Sequence, residues 1–303
     1  MDKIFITGAT GFLGSHIAEH LVNNNLEVIA LKRTGSDTSR CKEFEEKINW
    51  IELDSAETWK SKVKDIRPDI IIHCAWIGVE ADDRNSWTKQ LKNIAFQMSL
   101  LEIAESVNLK KFLILGSQAE YGYINEKVNE DRLTNANTAY GSVKLACLEI
   151  FKSFCEQKSI NWVWLRVFSV FGEREDHKWL IPSLVKKIYT SEEMDLTAGE
   201  QKYAYMYVKD FSTVIFTIIS KDINPGIYNI SSNKLHRLKT LVESIRERIN
   251  PNFKLNFGAL PYRDKQPMHI EGDISKLTDQ IGPINFTDFN VALSNTIKYY
   301  SSK

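Results

Sequence analysis

Three glycines, spaced three residues apart, join the first apolar strand of the chain to its first helix. Residues 5–21 read FITGATGFLGSHIAEHL, with glycines at Gly8, Gly11 and Gly14. Glycine permits positive φ at a tight turn, lets backbone N–H groups approach a pyrophosphate at a helix start, and allows close packing of helix on strand. The placement therefore indicates a nucleotide-binding loop, although a tight turn that binds nothing would need similar glycines.

Strands and helices alternate over about the first 170 residues. The segments KIFIT, EVIAL, NWIEL, DIIIH and KFLILG are apolar on both faces, as buried parallel strands are. Between the last two, SWTKQLKNIAFQMSLLEIAESVN has helical periodicity and is long enough to cross a sheet. The pattern predicts an α/β fold with a Rossmann-type doubly wound parallel sheet, whose ligand sites lie at the carboxyl ends of the strands.

The alternation loosens after Gly172, where shorter mixed elements follow. We predict a dinucleotide-binding domain over residues 1–172 and a smaller mixed α/β substrate lobe over residues 173–303, with a possible return of the chain to the first lobe. A crevice between two lobes is a usual place for a ligand.

Composition excludes several function classes. Thirty-nine basic residues balance 39 acidic ones, so no global field draws the chain to nucleic acid or to an anionic membrane. No apolar run approaches the roughly 18 residues of a membrane span, and the first strand begins at Lys3, which predicts a cytoplasmic protein without a signal peptide. The four cysteines lack C-x-x-C spacing, and His73 and Cys74 lack partners at metal-ligand spacing, so we expect reduced thiols and no metal.

A second motif adds acid-base chemistry. TAYGSVKLACLEIF places Tyr140 and Lys144 four residues apart on one helix face, and Ser117 ends the strand KFLILGS. A phenol is a poor catalyst at neutral pH, and an adjacent ammonium is expected to lower its pKa. Y-x-x-x-K alone is a common chance pattern. After a glycine-rich turn and a serine at a strand end, it predicts a catalytic group in which Ser117 bonds the reacting oxygen.

Together these residues resemble the extended short-chain dehydrogenase/reductases, and within them the nucleotide-sugar epimerases, dehydratases and 4-ketoreductases. TGATGFLG resembles the family's T-G-x-x-G-x-x-G loop, SQAEYG its serine segment, AYGSVK its tyrosine-lysine segment, and LRVFSVFG its R-x-F-N-V-Y-G segment. IPSLV, YMYVKD, YNISS and PYRDKQPM resemble the elements that build the sugar-nucleotide side.

The resemblance implies a catalytic trio of Ser117, Tyr140 and Lys144, and an Asp54 that faces adenine. The cofactor contacts that it implies, together with those argued above and below, are Gly8, Thr10, Gly11, Phe12, Leu13, Gly14, Lys32, Arg33, Asp54, Ser55, Cys74, Ala75, Trp76, Tyr140, Lys144 and Val167.

The sequence departs from the family on the substrate side. Ser169 stands where the family commonly has an Asn beside the substrate phosphates, and Tyr203 and Ala204 replace an Arg-Asp pair. Arg237 and Arg263 fall where the resemblance puts diphosphate contacts, although arginines are more often surface charges.

The residues after Ser117 argue against dehydration. The family's 4,6-dehydratases carry an Asp-Glu pair directly after the catalytic threonine, whereas Gln118 and Ala119 stand here. Glu120 comes one place later and is either a second acid or base, or a helix-start or surface carboxylate. The substrate contacts predicted are Gln118, Glu120, Ser169, Arg237 and Arg263.

The second strand predicts the cofactor. NAD-binding proteins of this fold place a carboxylate at the end of the second strand to bind the ribose hydroxyls, whereas this strand ends with Lys32 and Arg33. An arginine can form a charge-assisted pair with a 2′-phosphate. The pattern favours NADP(H), with NAD(H) possible and two merely exposed cations as the alternative.

The predicted activity is NADPH-dependent reduction at C4 of a nucleoside-diphosphate 4-keto-6-deoxyhexose, in deoxysugar biosynthesis for surface polysaccharide. The alternatives are a nucleotide-sugar 4-epimerase with bound NAD and a catalytically silent NAD(P)-binding regulator. The resemblance also implies a homodimer.

Overall fold

The computed structural model describes residues 2–191 and 193–302; residues 1, 192 and 303, which belong to the two predicted lobes, lie outside the described residues. Its strands are β1 (Lys3–Thr7), β2 (Glu27–Arg33), β3 (Ile48–Leu53), β4 (Ile70–His73), β5 (Lys111–Ser117), β6 (Glu126–Val128), β7 (Trp162–Val167), β8 (Val170–Phe171), β9 (Glu193–Leu196), β10 (Lys202–Tyr203), β11 (Met206–Tyr207), β12 (Gly226–Ile230), β13 (His236–Arg237), β14 (Lys254–Phe257) and β15 (His269–Gly272). Its α-helices are α1 (Phe12–Asn23), α2 (Thr58–Ile66), α3 (Trp87–Gln90), α4 (Lys92–Ser106), α5 (Ala139–Lys158), α6 (Leu180–Thr190), α7 (Val208–Ser220), α8 (Leu238–Ile249), α9 (Ser275–Ile281) and α10 (Phe289–Ser301).

Within the described residues, seven parallel strands form the central sheet in the order β3-β2-β1-β4-β5-β7-β12. Strand order reverses direction between β1 and β4, which are hydrogen-bonded neighbours with Thr7 opposite His73. Loops that leave the carboxyl ends of these two strands diverge to opposite faces, and this divergence opens the crevice in which doubly wound sheets bind ligands. The predicted Rossmann-type α/β fold is confirmed.

The side chains of β1 alternate between the two faces of the central sheet, and helices cover both faces. Ile4 and Ile6 point into one apolar cluster with α1 and α7, while Phe5 points into another with α2, α4 and α5. All three side chains are fully buried. A parallel strand apolar on both faces requires helices on both sides, which is the arrangement observed.

The C-terminal part of the chain builds a smaller lobe. Helices α6, α8 and α10 enclose a separate apolar cluster, beside a four-stranded sheet of order β13-β10-β15-β6 and two short strand pairs. Helix α7 packs on α1, and β12 pairs with β7 at the edge of the central sheet, so the chain does return to the first lobe. The domain boundary at residue 172 stays a prediction.

Each helix in residues 2–191 and 193–302 is too short or too polar to cross a lipid bilayer.

Candidate active site

The glycine loop leaves no room for side chains. Gly8 has a φ of +78°, and a Cβ there would lie 2.6 Å from the backbone nitrogen of Ala75. A Cβ on Gly14 would lie 2.1 Å from the carbonyl oxygen of Gly8, while the Gly11 N–H donates to the same oxygen at 2.9 Å. No side chain of the described residues caps the start of α1 at Gly11. The loop therefore presents uncapped backbone N–H groups at a helix start, the usual form of an anion site.

The end of β4 is fastened against this loop by a buried histidine. The Thr7 hydroxyl lies 2.7 Å from Nδ1 of His73 and accepts a hydrogen bond from the Ala75 N–H at 3.3 Å. Burial lowers the pKa of His73 to about 3, so the ring is neutral, and burial raises the pKa of the neighbouring Cys74 thiol to about 12. Both side chains therefore have a structural role in the wall beside the glycine loop.

The structure brings the three predicted catalytic residues together at the carboxyl end of β5. Ser117 is the last residue of β5, while Tyr140 and Lys144 lie in the first turns of α5, whose start is capped by the Thr138 hydroxyl accepting from Gly141 N–H. The Ser117 side chain lies near enough to the Tyr140 hydroxyl to act on its pKa, which it lowers. Tyr140 and Ser117 are each 9% exposed and Lys144 is 4% exposed. The trio is therefore shielded from bulk water.

The sequence predicted that Lys144 lowers the pKa of Tyr140, whereas the net shift of that pKa is upward. Burial raises the pKa of Tyr140 above its ordinary value, although Ser117 and the charge of Arg84 act in the opposite sense. The Lys144 ammonium donates to the Leu115 carbonyl oxygen at 2.6 Å, lies 3.4 Å from the Trp76 ring centroid, and is 5.9 Å from the Tyr140 ring centroid. Burial lowers the pKa of Lys144 itself to about 8. Tyr140 is therefore a protonated phenol, which can donate a proton.

Glu120 is not a substrate-facing carboxylate, contrary to the expectation. It is fully buried: one oxygen accepts from the Ser117 backbone N–H at 2.7 Å and the other from Nε of Arg166 at 2.8 Å. The Trp164 indole N–H donates to the same carboxylate at 3.0 Å. Glu120 does occupy a helix start, where it completes a reciprocal cap with Ser117. Its role is to hold the backbone of Ser117, because neither oxygen remains available to a substrate.

Sequence reasoning missed Arg84, which lies over the predicted catalytic tyrosine, Tyr140. Its guanidinium carbon is 5.3 Å from the Tyr140 ring centroid and 5.9 Å from that of Trp179. The Tyr140 backbone N–H also donates to the Arg84 carbonyl oxygen at 2.8 Å. Arg84 belongs to the polar loop between β4 and α3, in which no motif distinguishes it from a surface charge. Only the path of the loop reveals its position.

The other predicted substrate residues are distributed along the crevice and the second lobe. Gln118 lies half-buried beside Ser117, and Ser169 is half-buried between β7 and β8. Arg237 is ion-paired with Glu200, whereas Arg263 is exposed. As substrate contacts, these four residues stay predictions.

The segment containing Arg263 packs against β10. The Tyr203 hydroxyl donates to the Pro267 carbonyl oxygen at 3.0 Å and accepts from the Gln266 side chain at 2.7 Å. The charge of Arg263 acts to lower the pKa of Tyr203, although burial raises it overall. The segment that carries Arg263 is therefore fastened to β10 at Tyr203.

Residues 4–231 match the model of the NAD dependent epimerase/dehydratase family. The chain belongs to this family. It is an enzyme of the extended short-chain dehydrogenase/reductase type, as the resemblance predicted.

Three relatives of this epimerase/dehydratase-family enzyme show the range of its similarity. CDP-abequose synthase of Salmonella muenchen is 27% identical, with 91% of this chain and 90% of that protein aligned. dTDP-6-deoxy-L-talose 4-dehydrogenase (NAD(+)) of Aggregatibacter actinomycetemcomitans is 26% identical, with coverage of 89% and 99%. The structure of UDP-N-acetylglucosamine 4-epimerase from Methanobrevibacter ruminantium M1, in complex with UDP-N-acetylmuramic acid, superposes with a TM-score of 0.89 at 25% identity, covering 99% of this chain and 98% of that chain.

The residues of this family member fit a nicotinamide dinucleotide. The cradle that side chains at Gly8 and Gly14 would fill, together with the uncapped start of α1, suits a pyrophosphate. The other predicted contacts lie at the carboxyl ends of β1, β4 and β7, where they are Thr10, Phe12, Leu13, Cys74, Ala75, Trp76 and Val167. Val167 is the register partner of Ser117 in the sheet, so the predicted cofactor wall and the predicted catalytic serine are adjacent.

Residues at the ends of β2 and β3 lie at the edge expected for the adenosine half of the cofactor. Arg33 ends β2 and is exposed, while Lys32 lies over the Trp50 ring at 5.4 Å. Asp54 and the exposed Ser55 follow β3, and the Asp54 carboxylate accepts hydrogen bonds from the Thr58 backbone and hydroxyl at 2.9 and 2.7 Å. Asp54 therefore caps α2, and its contact with adenine stays a prediction.

Proposed function

We propose that this enzyme reduces the C4 carbonyl of a nucleoside-diphosphate 4-keto-6-deoxyhexose, using NADPH. The observation that carries the proposal is the state of Tyr140, a buried phenol beside Ser117 whose pKa burial raises above the ordinary value. A carbonyl becomes an alcohol when its carbon receives a hydride and its oxygen a proton. A protonated, positioned phenol is the donor that this oxygen needs.

Each catalytic residue then has a role at a stated atom. NADPH, when bound, supplies the hydride. The Ser117 hydroxyl donates a hydrogen bond to the C4 oxygen and holds it near the Tyr140 hydroxyl, which gives up the proton. The Lys144 ammonium, fixed by the Leu115 carbonyl oxygen, keeps a positive charge on the same side of the crevice.

The surroundings of Ser117 oppose dehydration. Gln118 and Ala119 cannot act as an acid-base pair, and the Glu120 carboxylate is occupied by Arg166 and the Ser117 backbone. A dehydratase needs a second acid or base beside the reacting carbons, and the residues directly after Ser117 do not provide one. This favours reactions that need a single proton donor.

The names of two relatives support the substrate class. One is called a CDP-abequose synthase, and the other a 4-dehydrogenase of a dTDP-linked 6-deoxy-L-talose. A 4-dehydrogenase run in reverse is a 4-ketoreductase. Arg263 beside Tyr203 supplies a cation and an aromatic ring suited to a nucleoside diphosphate.

A 4-epimerase is the second candidate, because a chain of similar fold and 25% identity is a UDP-N-acetylglucosamine 4-epimerase. An epimerase returns the hydride to the same carbon and needs no added cofactor.

One experiment therefore distinguishes the reductase activity from the epimerase activity. Purified enzyme is given NADPH and a 4-keto-6-deoxy sugar nucleotide generated in place by a dehydratase, while the cofactor absorbance is followed. Oxidation of NADPH supports the reductase. Absence of oxidation, with inversion of a 4-hydroxy sugar nucleotide and no added cofactor, rejects it in favour of the epimerase.

The preference for NADPH is proposed from Arg33. A charge-assisted hydrogen bond contributes about 1.5–3 kcal/mol, so Arg33→Ala should lower kcat/KM for NADPH about ten- to a hundredfold and leave the value for NADH unchanged. Lys62→Ala, which removes an exposed cation from α2, is the control and should change neither value. Preference of the wild-type enzyme for NADH, unaffected by Arg33→Ala, would refute the assignment.

A homodimer and a cytoplasmic location complete the proposal. Trp87, Leu91 and Met98 are exposed by 56%, 51% and 43%, and they share one stripe because helical backbone at Leu91 joins α3 to α4. We expect a second copy of the chain to cover this stripe. Sedimentation equilibrium should give twice the mass of one chain, and Met98→Glu should reduce it to one; a monomeric wild-type protein would contradict the proposal.

A further inference from the structure

Two cations approach the catalytic tyrosine, and they are held in different ways. Lys144 is bound to the Leu115 carbonyl oxygen and lies against Trp76, with its ammonium 5.9 Å from the Tyr140 ring centroid. Arg84 lies over the Tyr140 ring, with its Nε donating to the Val79 carbonyl oxygen at 3.0 Å. The backbone of Arg84 accepts from the Tyr140 N–H, so the loop and the start of α5 are joined at this point.

Arg84 forms no ion pair with a described carboxylate. Of its acidic loop neighbours, Glu80 pairs with Lys178 at 2.9 Å and Asp83 with Lys89 at 2.5 Å, while Asp82 is exposed. Within residues 2–191 and 193–302, no carboxylate is ion-paired with Arg84. A guanidinium held between the Tyr140 and Trp179 rings therefore keeps its full charge beside the phenol.

We propose that Arg84 is a positioning residue for Tyr140, whose guanidinium stabilises the phenolate that forms as Tyr140 gives its proton to the substrate. The inference rests on the proposed C4 oxidoreductase function. In reduction, the O–H bond of Tyr140 breaks, the proton joins the C4 oxygen, and the negative charge stays on the phenolate beside Arg84. In the reverse oxidation, the phenolate takes that proton back.

The groups around Tyr140 determine the direction in which its pKa should shift when the Arg84 charge is removed. Ser117 on β5 lowers the Tyr140 pKa, as the charge of Arg84 does, whereas burial and the charge of Glu120 raise it. Lys144 on the same helix lies 5.9 Å from the ring centroid. Removal of the Arg84 charge should therefore raise the Tyr140 pKa, and an opposite charge at 4–6 Å typically shifts a pKa by about 1–3 units.

The test is the pH profile of alcohol oxidation with NADP⁺, since this direction requires the phenolate. At a fixed pH below the Tyr140 pKa, each unit by which that pKa rises lowers the fraction of phenolate, and with it kcat/KM, tenfold. We expect Arg84→Met to displace the rising limb by about one unit or more to higher pH, with Arg84→Lys displaced less because it keeps the charge. Lys298→Met, which removes an exposed cation from α10, is the control and should leave the rising limb in place. Two results would overturn the proposal. One is a rising limb of the Arg84→Met pH profile that superposes on that of the wild-type enzyme, and the other is an equal displacement of this limb in Arg84→Met and Arg84→Lys.

A second measurement separates this inference from the proposed function. NMR of protein labelled with ¹³C at tyrosine Cζ reports ionisation without turnover, and the Tyr140 signal is assigned by its loss in Tyr140→Phe. A higher Tyr140 pKa in Arg84→Met than in wild type supports the role of Arg84 even if no sugar nucleotide is oxidised. An unchanged Tyr140 pKa rejects it even if the reductase assay succeeds.

Discussion

Tyr140→Phe is expected to lower kcat by about 10²–10⁴-fold, the usual contribution of a positioned acid-base group, while the fold and the cofactor affinity are retained. Phenylalanine removes only the phenol hydroxyl, and its ring can still pack against Trp76, whose centroid lies 5.9 Å away. Steady-state kinetics and cofactor titration of both proteins check this.

Tyr123→Phe is the matched control, because Tyr123 is 44% exposed and lies outside the trio. It should leave turnover unchanged. Wild-type turnover in Tyr140→Phe, or equal losses in the two variants, would show that the Tyr140 hydroxyl is not the proton donor.

Glu120→Gln is expected to give the largest loss of stability. The pair of Glu120 with Arg166 is buried, with side chains 0% and 3% exposed, and breaking such a pair typically costs about 3–5 kcal/mol because one charge is left uncompensated. The free energy of unfolding from urea denaturation measures the effect.

Glu105→Gln is the matched control for this substitution. Glu105 pairs with Lys158 on the surface, where both side chains are about half exposed, and surface pairs contribute about 0–1 kcal/mol. A loss in Glu120→Gln no larger than that of the control would contradict the buried-pair interpretation. Replacement of both partners, as Glu120→Leu with Arg166→Met, should recover part of the stability, since it leaves no unpaired charge.

Much of the fold, and the meeting of the three predicted catalytic residues, could be predicted because each depends on local patterns. Alternating strands and helices imply a parallel sheet, and the carboxyl ends of its strands must share one edge. Ser117 at the end of β5 and the Tyr140 helix that follows therefore meet. The family prediction was confirmed for the same reason, since its motifs are short and local.

What the sequence did not reveal depends on pairing between distant segments. Glu120 meets Arg166, 46 residues away, because β5 and β7 are neighbours with Gly116 opposite Arg166. The position of Arg84 depends on a loop without periodicity. The upward shift of the Tyr140 pKa comes mainly from burial, which no motif records.

Transfer of deuterium from C4-deuterated NADPH tests the proposed reaction at the bond where it occurs. The enzyme, the labelled cofactor and a nucleoside-diphosphate 4-keto-6-deoxyhexose are incubated, and the product is examined by mass spectrometry and NMR. With the cofactor labelled on the face that the enzyme uses, the proposal predicts one deuterium per product molecule, located at C4, and one NADPH oxidised per deuterium transferred. Two observations together would contradict the proposal. They are an absence of deuterium in products formed from the 4-keto sugar, and inversion at C4 of a 4-hydroxy sugar nucleotide without net oxidation of NADPH.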